Sequence, residues 1–135
     1  MYLLDTNVIS ELRKPKPHGG VLSWYRSVPE SQLFLPAVTI GELQAGVERM
    51  RPHDPEKAKQ IEEWIDEVAA NHQVLPSDAA VFREWARLME GKSDLLEDAM
   101  IAATARMHGL TVVTRNMRDF QVFAVKLLNP FSSRQ

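Results

Sequence analysis

The chain has 135 residues, of which 44% are hydrophobic and 25% are charged, with a formal net charge of −2 and no cysteine. These values predict one soluble domain over residues 1–135, and because no apolar run approaches the ~20 residues that a membrane span needs, we expect no membrane span. A strand that begins at the second residue leaves no room for a signal peptide, so we expect a cytoplasmic location. The lack of cysteine excludes disulfides, thiolate metal sites and cysteine nucleophiles, and the charge excludes a global basic field for nucleic acid.

The first predicted element is a short buried strand, Tyr2–Leu4, which ends at the carboxylate of Asp5. A strand without a polar face is covered on both sides, which places it near the middle of a parallel or mixed sheet. Ligands of open α/β sheets bind outside the carboxyl ends of the strands, so Asp5 is predicted to lie at the binding edge. Asp5 could equally serve only as the N-cap of the next helix, over 6–12.

Strands and helices are predicted to alternate along the rest of the chain. A Pro/Gly-rich loop at 14–20 precedes a short amphipathic helix near 21–25. Apolar runs predict further strands at 33–35, 74–76, 110–114 and 125–130. Helical spacing predicts longer helices at 39–50, at 56–70, between Ser77 as N-cap and Gly91, and at 94–108 with an Asp94/Glu97 capping box and a stop at Gly109. This alternation predicts an α/β/α sandwich around a central, mainly parallel sheet of about five short strands.

Two carboxylates lie on helix faces that otherwise look buried. Asp98 shares its face with Leu95 and Ile101, and an unpaired buried carboxylate must be neutralised, hydrogen-bonded or bound to a cation. A buried salt bridge or a contact with the helix dipole would also explain Asp98. Glu42 has its own alternative, because Thr39-x-x-Glu42 has the form of a capping box.

The predicted topology brings these acids to one edge of the sheet. Glu42 lies in the first turn after the second strand and Asp98 in the first turns before the fourth, which places both near Asp5. The fourth strand also ends there, at Thr114, with Asp119 shortly after it. Carboxylates this close repel one another strongly unless a cation lies between them. With only oxygen ligands, the pattern predicts a site for Mg²⁺ or Mn²⁺, of the kind that commonly acts on phosphate esters.

Four short motifs occur in a specific order and spacing. They are Leu4-Asp5-Thr6-Asn7-Val8-Ile9-Ser10-Glu11, Thr39-x-x-Glu42-Leu43, Asp98-x-x-Ile101-Ala102-Ala103-Thr104-Ala105 and Val113-Thr114-Arg115-Asn116-x-x-Asp119-Phe120. Together they resemble the PIN-domain ribonucleases, specifically the VapC/FitB-like toxins of bacterial toxin–antitoxin systems, over nearly the whole chain. The resemblance implies a metal-dependent endoribonuclease that cleaves single-stranded or loop RNA. Its implied partners are a second copy of the chain and a small antitoxin whose tail covers the acidic groove.

The family's acidic positions, matched to this chain, imply that Asp5, Glu42 and Asp98 are the catalytic metal ligands. The family's usual fourth acid often falls where this chain has Asn116. Asn116 could still bind a metal-bound water, and Asp119 could supply the missing charge. In the expected reaction a metal-activated water attacks phosphorus in line, leaving a 5′-phosphate and a 3′-hydroxyl.

Side chains beside these acids are predicted to contact the substrate, namely Thr6, Asn7, Thr114 and Arg115. The two threonines could instead cap turns, and Arg115 could instead pair with an acid. A basic margin for RNA could come from Arg13, Lys14 and Lys16 in the first loop and from Arg49, Arg51, Arg83, Arg87 and Lys92, although surface charge predicts solubility as readily. Trp24, Trp64 and Trp85 are interpreted as core or interface residues, and apolar residues around 21–25 and 61–68 make self-association plausible.

Other functions fit parts of the pattern. A catalytically inactive PIN-like domain that only binds a partner stays open because of Asn116. A Mg²⁺-binding receiver-like signalling module would need an Asp at the end of its third strand, which here ends at Leu75-Pro76, and a Lys after its fifth, whereas Lys126 lies inside it. A metal-dependent phosphatase would need Asp-x-Asp where this chain has Asp5-Thr6-Asn7.

Overall fold

A central parallel sheet organises the structure, a computed structural model that describes residues 1–92 and 94–132. Within those residues its five strands are β1 (Tyr2–Leu4), β2 (Leu33–Pro36), β3 (Gln73–Leu75), β4 (Thr111–Val113) and β5 (Leu127–Leu128). The strand order is β3-β2-β1-β4-β5, and every neighbouring pair is parallel. The predicted sheet is confirmed, with β1 at its centre.

Helices connect these strands. They are α1 (Thr6–Arg13), α2 (Gly19–Ser27), α3 (Ala37–Met50), α4 (Pro55–Asn71), α5 (Ala79–Met89), α6 (Leu96–His108) and α7 (Met117–Gln121), with short 3₁₀ turns at Glu30–Gln32 and Pro130–Ser132. Among the residues described, no helix has both the length and the apolar composition needed to cross a membrane.

The sheet carries a hydrophobic core on each face, because successive side chains of a strand point to opposite sides. Leu3 and Val112 lie on the face covered by α6, and the alanines of that helix let it pack closely on the strands. Leu4 and Val113 lie on the other face, against residues of α1, α2 and α4. The predicted α/β/α sandwich is therefore confirmed.

Two helices begin at residues other than those predicted. α2 starts at Gly19, inside the predicted loop, because Nδ1 of His18 accepts the backbone N–H of Gly20 at 3.1 Å. α5 is capped by Asp78 rather than Ser77, since Oδ1 of Asp78 accepts the N–H of Val81 at 3.0 Å. In each case the helix begins after the residue whose side chain accepts hydrogen bonds from the free backbone N–H groups of the first turn.

Neither predicted capping box forms. α3 begins at Ala37 after Pro36, and α6 begins at Leu96 after Leu95, and neither helix has a side-chain cap hydrogen bond. Thr39 and Glu42 therefore lie inside α3, and Glu97 lies in the first turn of α6. The carboxyl groups of Glu42 and Glu97 are left to make other contacts.

The apolar segments predicted to favour self-association face the core instead. Val21, Ile65 and Val68 are buried, and Trp24 and Trp64 are half-buried against the same clusters. The hydrophobic stripes of these segments cover one face of the sheet, and the expected self-association stays a prediction. The interpretation of Trp24 and Trp64 as core-packing residues is confirmed.

Candidate functional site

Asp5 stands at the carboxyl end of the central strand and is only 6% exposed. Its Oδ1 accepts the backbone N–H of Thr6 at 2.7 Å, and its Oδ2 accepts the hydroxyl of Thr114 at 2.7 Å and the amide of Asn7 at 3.1 Å. Burial raises the pKa of Asp5, and these three hydrogen bonds partly oppose that rise. Asp5 therefore caps α1 and also lies at the predicted carboxyl edge of the sheet, and its part in binding stays a prediction.

Glu42 reaches the same edge from α3. The hydroxyl of Thr6 donates to its Oε1 at 2.7 Å and also lies 3.2 Å from the hydroxyl of the fully buried Thr39. Burial, a carboxyl–carboxyl hydrogen bond with Glu97 and the charges of Glu97 and Asp5 raise the pKa of Glu42 to about 8. The reading of Glu42 as a helix cap was wrong, because α3 begins before Thr39.

Asp98 is half-buried in the first turn of α6. Burial raises its pKa to about 6, and repulsion from Asp5, Asp119 and Glu97 adds to the effect. The structure therefore places Asp98 close enough to interact with its helix neighbour Glu97 and with acids from two other segments, Asp5 and Asp119. The alternative of a buried salt bridge was wrong, because no such pair to Asp98 exists within residues 1–92 and 94–132.

The residues after β4 complete the edge. The hydroxyl of the fully buried Thr114 accepts the backbone N–H of Asn116 at 2.9 Å while donating to Asp5. The amide of Asn116 donates to Oδ2 of Asp119 at 2.7 Å, which holds that carboxylate near the start of α7. Asn7 links the two strand ends, because its Oδ1 accepts the backbone N–H of Arg115 at 3.3 Å.

Arg115 does not pair with an acid in the described part of the chain. Its guanidinium carbon lies 4.9 Å from the ring centroid of Phe131, in a cation–π contact. The ion-pair alternative for Arg115 was therefore wrong, and its contact with a substrate phosphate stays a prediction.

Five carboxyl groups thus meet at one edge of the sheet, from Asp5, Glu42, Glu97, Asp98 and Asp119. Across the described residues, none of them forms a salt bridge with lysine or arginine. Uncompensated negative charge in a partly buried place is unfavourable, and a hard divalent cation with oxygen ligands would offset it.

These side chains do not form a finished metal cage. Over the same described ranges, no group of three or more acidic or histidine side chains is already arranged to hold a metal ion. Asp5 faces Thr114 and Asn7, and Glu42 faces Thr6 and Glu97. Mg²⁺ usually keeps several waters and binds through one or two carboxylates, so the donor set fits this ion without a complete protein cage.

Two residues of the site were missed or misread from the sequence. Glu97 was assigned to a capping box with Asp94, but it contacts Glu42. Its position next to Asp98 in the first turn of a helix was the signal that could have placed it. Thr39 was also assigned to a cap, and its complete burial beside Thr6 could not be predicted without the packing of α1 on α3.

Comparison with known proteins gives consistent matches over nearly the full length. A family model described as "PIN domain" matches residues 2–126. The chain is 35% identical to "Toxin FitB" of Neisseria gonorrhoeae, with 97% of this chain and 99% of that protein covered. It is 37% identical to "VapC ribonuclease Y4jK" of Sinorhizobium fredii, with 97% and 98% covered.

Solved structures agree with the sequence matches. The structure of FitAcB from Neisseria gonorrhoeae contains a chain with a TM-score of 0.87 and 32% identity, covering 98% of this chain and 100% of that one. VapBC-5 from Mycobacterium tuberculosis, described as a member of the VapBC family of toxin–antitoxin systems, gives a TM-score of 0.63 at 25% identity, with 94% of both chains covered.

Proposed function

Because this chain belongs to the PIN-domain family, we propose that it is an endoribonuclease toxin that uses Mg²⁺, or alternatively Mn²⁺, to cleave single-stranded or loop RNA. Relatives named as a toxin and as a VapC ribonuclease, matched over nearly the full chain, support this proposal. The observation that carries it is the group of five carboxyl groups at the carboxyl ends of β1, β2 and β4, without a basic partner in the part of the chain described.

Asp5, Glu42 and Asp98 would hold the cation, with Glu97 and Asp119 adding negative charge beside them. A bound divalent cation supplies Lewis acidity that activates water for attack on phosphorus and offsets charge on the leaving oxygen. The chain's own contribution is to fix these carboxylates at a partly buried edge of the sheet.

Hydrogen bonds orient the proposed ligands. Thr114 and Asn7 hold Oδ2 of Asp5, and Thr6 holds Oε1 of Glu42. Such supporting contacts keep a carboxylate in one rotamer and typically contribute 10- to 100-fold in metal affinity or activity. We therefore assign Thr6, Asn7 and Thr114 to positioning the acids, whereas Arg115, exposed beside the site, remains the best candidate to contact a substrate phosphate.

A small antitoxin is the proposed protein partner. The chain resembles a chain of FitAcB and a member of the VapBC toxin–antitoxin family. An uncontrolled ribonuclease would harm the cell that makes it, so a partner that covers the acidic edge is required. We propose that this hetero-oligomer also contains a second copy of the chain, and that it forms in the cytoplasm, where its RNA substrates are.

The proposal is tested with purified protein freed of its partner. We expect cleavage of total RNA with Mg²⁺ or Mn²⁺, leaving 5′-phosphate and 3′-hydroxyl ends, and loss of cleavage with a chelator or in Asp98→Asn. The matched control is Asp66→Asn, because Asp66 is an exposed acid on α4. Cleavage that persists with the chelator would overturn the metal-dependent mechanism.

An inactive, partner-binding PIN-like domain is the second candidate. Asn116 favours it, because the amide cannot supply the charge of the family's usual fourth acid. Asp119 lies within reach of Asn116 and raises the pKa of Asp98, so a fourth negative charge is nevertheless present. Metal binding without any RNA cleavage, in protein that still binds an antitoxin, would favour this second function.

A further inference from the structure

A cavity of about 410 Å³ opens beside the acidic edge, between α1, α3 and α4. Its walls include residues of the proposed metal site, Thr6, Glu42 and Glu97. They also include two arginines and a tryptophan, Arg13, Arg49 and Trp64. The cavity therefore joins a negative region to a positive one.

The two arginines occupy equivalent places on the two wall helices. On α1, Arg13 follows Thr6 by seven residues, and on α3, Arg49 follows Glu42 by seven residues. Seven residues make about two helical turns, or about 10 Å, and return the side chain to the same face. Each wall therefore carries a residue of the acidic site at its start and an arginine two turns further along.

Packing directs both guanidinium groups along the cavity. The guanidinium carbon of Arg13 lies 5.8 Å from the ring centroid of Trp64, which is half-buried against the core and holds Arg13 in a cation–π contact. Nη2 of Arg49 lies 3.8 Å from the position that a Cβ on Gly46 would take, so this side chain turns back toward Glu42.

Three other basic residues of the predicted margin pair with acids instead. Lys14 pairs with Glu11 at 2.9 Å, and Arg51 pairs with Glu48 at 3.0 Å and with Glu62 at 3.2 Å. Arg87 likewise pairs with Glu84 at 2.7 Å. For Arg13 and Arg49, residues 1–92 and 94–132 provide no acidic partner within salt-bridge distance.

We propose that Arg13 and Arg49 form a subsite for a backbone phosphate of the RNA strand, adjacent to the phosphate that is cleaved. This inference rests on the proposed ribonuclease function and adds to it the place where the strand is held. Guanidinium groups bind phosphate through paired hydrogen bonds. The separation of about two helical turns places them beyond the scissile phosphate, at a neighbouring one.

RNA is favoured over an acidic peptide because one strand can occupy both parts of the cavity. When one phosphodiester lies at the acids, the phosphates that follow it continue along the strand toward the arginines. The net charge of −2 and the acidic edge repel RNA, so the strand needs positive charge close to the site. The two arginines provide it without weakening the negative charge at the cleavage position.

The test measures RNA binding in the Asp98→Asn background, so that cleavage does not interfere. Arg13→Gln and Arg49→Gln are compared with Arg26→Gln, which changes an exposed arginine on α2 outside the cavity lining. The probe is a short fluorescent single-stranded RNA of mixed sequence, followed by anisotropy over a series of salt concentrations. We expect each cavity variant to weaken binding about tenfold and to reduce the salt slope by about 0.7, because one phosphate contact is lost, while the control changes neither.

A neutral methylphosphonate tests the same contact from the RNA side. Placed next to the cut site of an RNA that the active protein cleaves, it should weaken binding to the Asp98→Asn protein, but it should not weaken binding further when Arg13→Gln and Arg49→Gln are both added to that protein. Thermal unfolding checks that the variants are folded. If loss of the Trp64 contact unfolds Arg13→Gln, Arg13→Lys replaces it in the test. Lysine keeps the positive charge but not the paired hydrogen bonds, so Arg13→Lys should bind RNA less tightly than the protein with Arg13.

Three other outcomes would overturn the proposed phosphate subsite. Unchanged RNA affinity in both arginine variants, with cleavage still lost in Asp98→Asn, would overturn the subsite and leave the ribonuclease function standing. Weakened antitoxin binding with unchanged RNA binding would also overturn it, and would assign the cavity to an acidic protein segment. Failure of the wild-type protein to bind or cleave RNA would remove the proposed function and this inference together.

Discussion

At the residue scale, Glu97 explains how so many acids can share one edge of the sheet. Two carboxyl groups form a hydrogen bond with each other only when one of them carries a proton. Burial and the neighbouring carboxyl group of Glu97 raise the pKa of Glu42, so this edge favours a proton where two full charges would repel each other. In the proposed enzyme, a divalent cation takes over the compensating role of that proton.

Glu97→Gln tests this role. The amide keeps a hydrogen bond to Glu42 but removes one negative charge, so we expect Mn²⁺ to bind about 10- to 100-fold more weakly. Isothermal titration calorimetry gives the affinity, and the Mn²⁺ dependence of RNA cleavage should shift by a similar factor. Glu63→Gln, at an exposed position on α4, is the matched control. Equal Mn²⁺ affinity in Glu97→Gln and wild type would show that Glu97 is a bystander.

Asp5 and Asp98 could be predicted from the sequence because each is an acid among apolar neighbours, at a place where strands or helices end. Glu97 could not be predicted in the same way. Its spacing from Asp94 also fits a common helix-capping pattern, and only the actual start of α6 at Leu96 decides between the two readings. Local sequence patterns therefore found the acids that conflict with their surroundings, but not the one whose surroundings looked ordinary.

At the element scale, α6 and β4 act as one unit of the site. The first turn of α6 carries Glu97 and Asp98, and β4, the strand that follows this helix, leads directly into Thr114, whose hydroxyl donates to Asp5. Between them, Gly109 adopts a left-handed conformation with φ of 65°, and the N–H of Leu110 donates to the carbonyl of Ala105 at 2.9 Å. The turn at Gly109 thus sets the direction in which the chain enters β4.

Gly109→Ala should destabilise the protein by about 1 kcal/mol, because a Cβ is unfavourable in the left-handed region. Apart from Gly109 and its two chain neighbours, no heavy atom lies within 4 Å of the position of that Cβ, so a clash with packed residues does not contribute. Chemical denaturation measures the free energy of unfolding. Gly109→Asn is the matched control and should cost less, because asparagine adopts this conformation more readily. A larger loss in the asparagine variant would contradict the conformational explanation.

Helix positions were easier to predict than helix starts. Apolar spacing located α3, α4 and α6 because long stripes of hydrophobic residues leave a periodic signal. The exact starts depend on which side chain reaches the free backbone N–H groups, as with Asp78 at α5 and His18 at α2. Differences of a few tenths of an ångström in hydrogen-bond distance decide which side chain caps the helix, and a sequence pattern does not contain such distances.

At the scale of the whole molecule, the acidic edge opposes folding when no cation neutralises it. The pKa of Asp98 rises from 3.8 to about 6 and that of Glu42 from 4.5 to about 8, so the folded state favours the protonated form of each. A raised pKa contributes stability that is complete below the ordinary value and is lost as the pH rises through the value in the folded protein. The proposed function therefore trades stability for the capacity to bind a cation.

We expect the thermal unfolding midpoint of protein in chelator to fall as the pH is raised from about 4 to about 8, the window set by these two shifts. Mg²⁺ or Mn²⁺ added at the upper end should raise the midpoint again, because a ligand that binds only the folded state stabilises it. Differential scanning fluorimetry is sufficient to follow both changes.

The double variant Glu42→Gln, Asp98→Asn provides the control, because neither amide titrates. Its midpoint should change less over the same pH range and should respond less to added metal. A wild-type midpoint that rises steadily toward the upper end of the range in chelator would contradict the sign of both pKa shifts.

The order of the strands has a consequence for folding during synthesis. The central strand β1 leaves the ribosome before the other four strands. Its neighbour β4 follows more than a hundred residues later, and Asp98 and Asp119 lie close to β4 in the sequence. Parallel pairing of β1 with β4 cannot form until β4 has been synthesised. The acidic edge is therefore completed only after Asp119 has left the ribosome, so any activity that depends on these acids cannot appear on a shorter nascent chain.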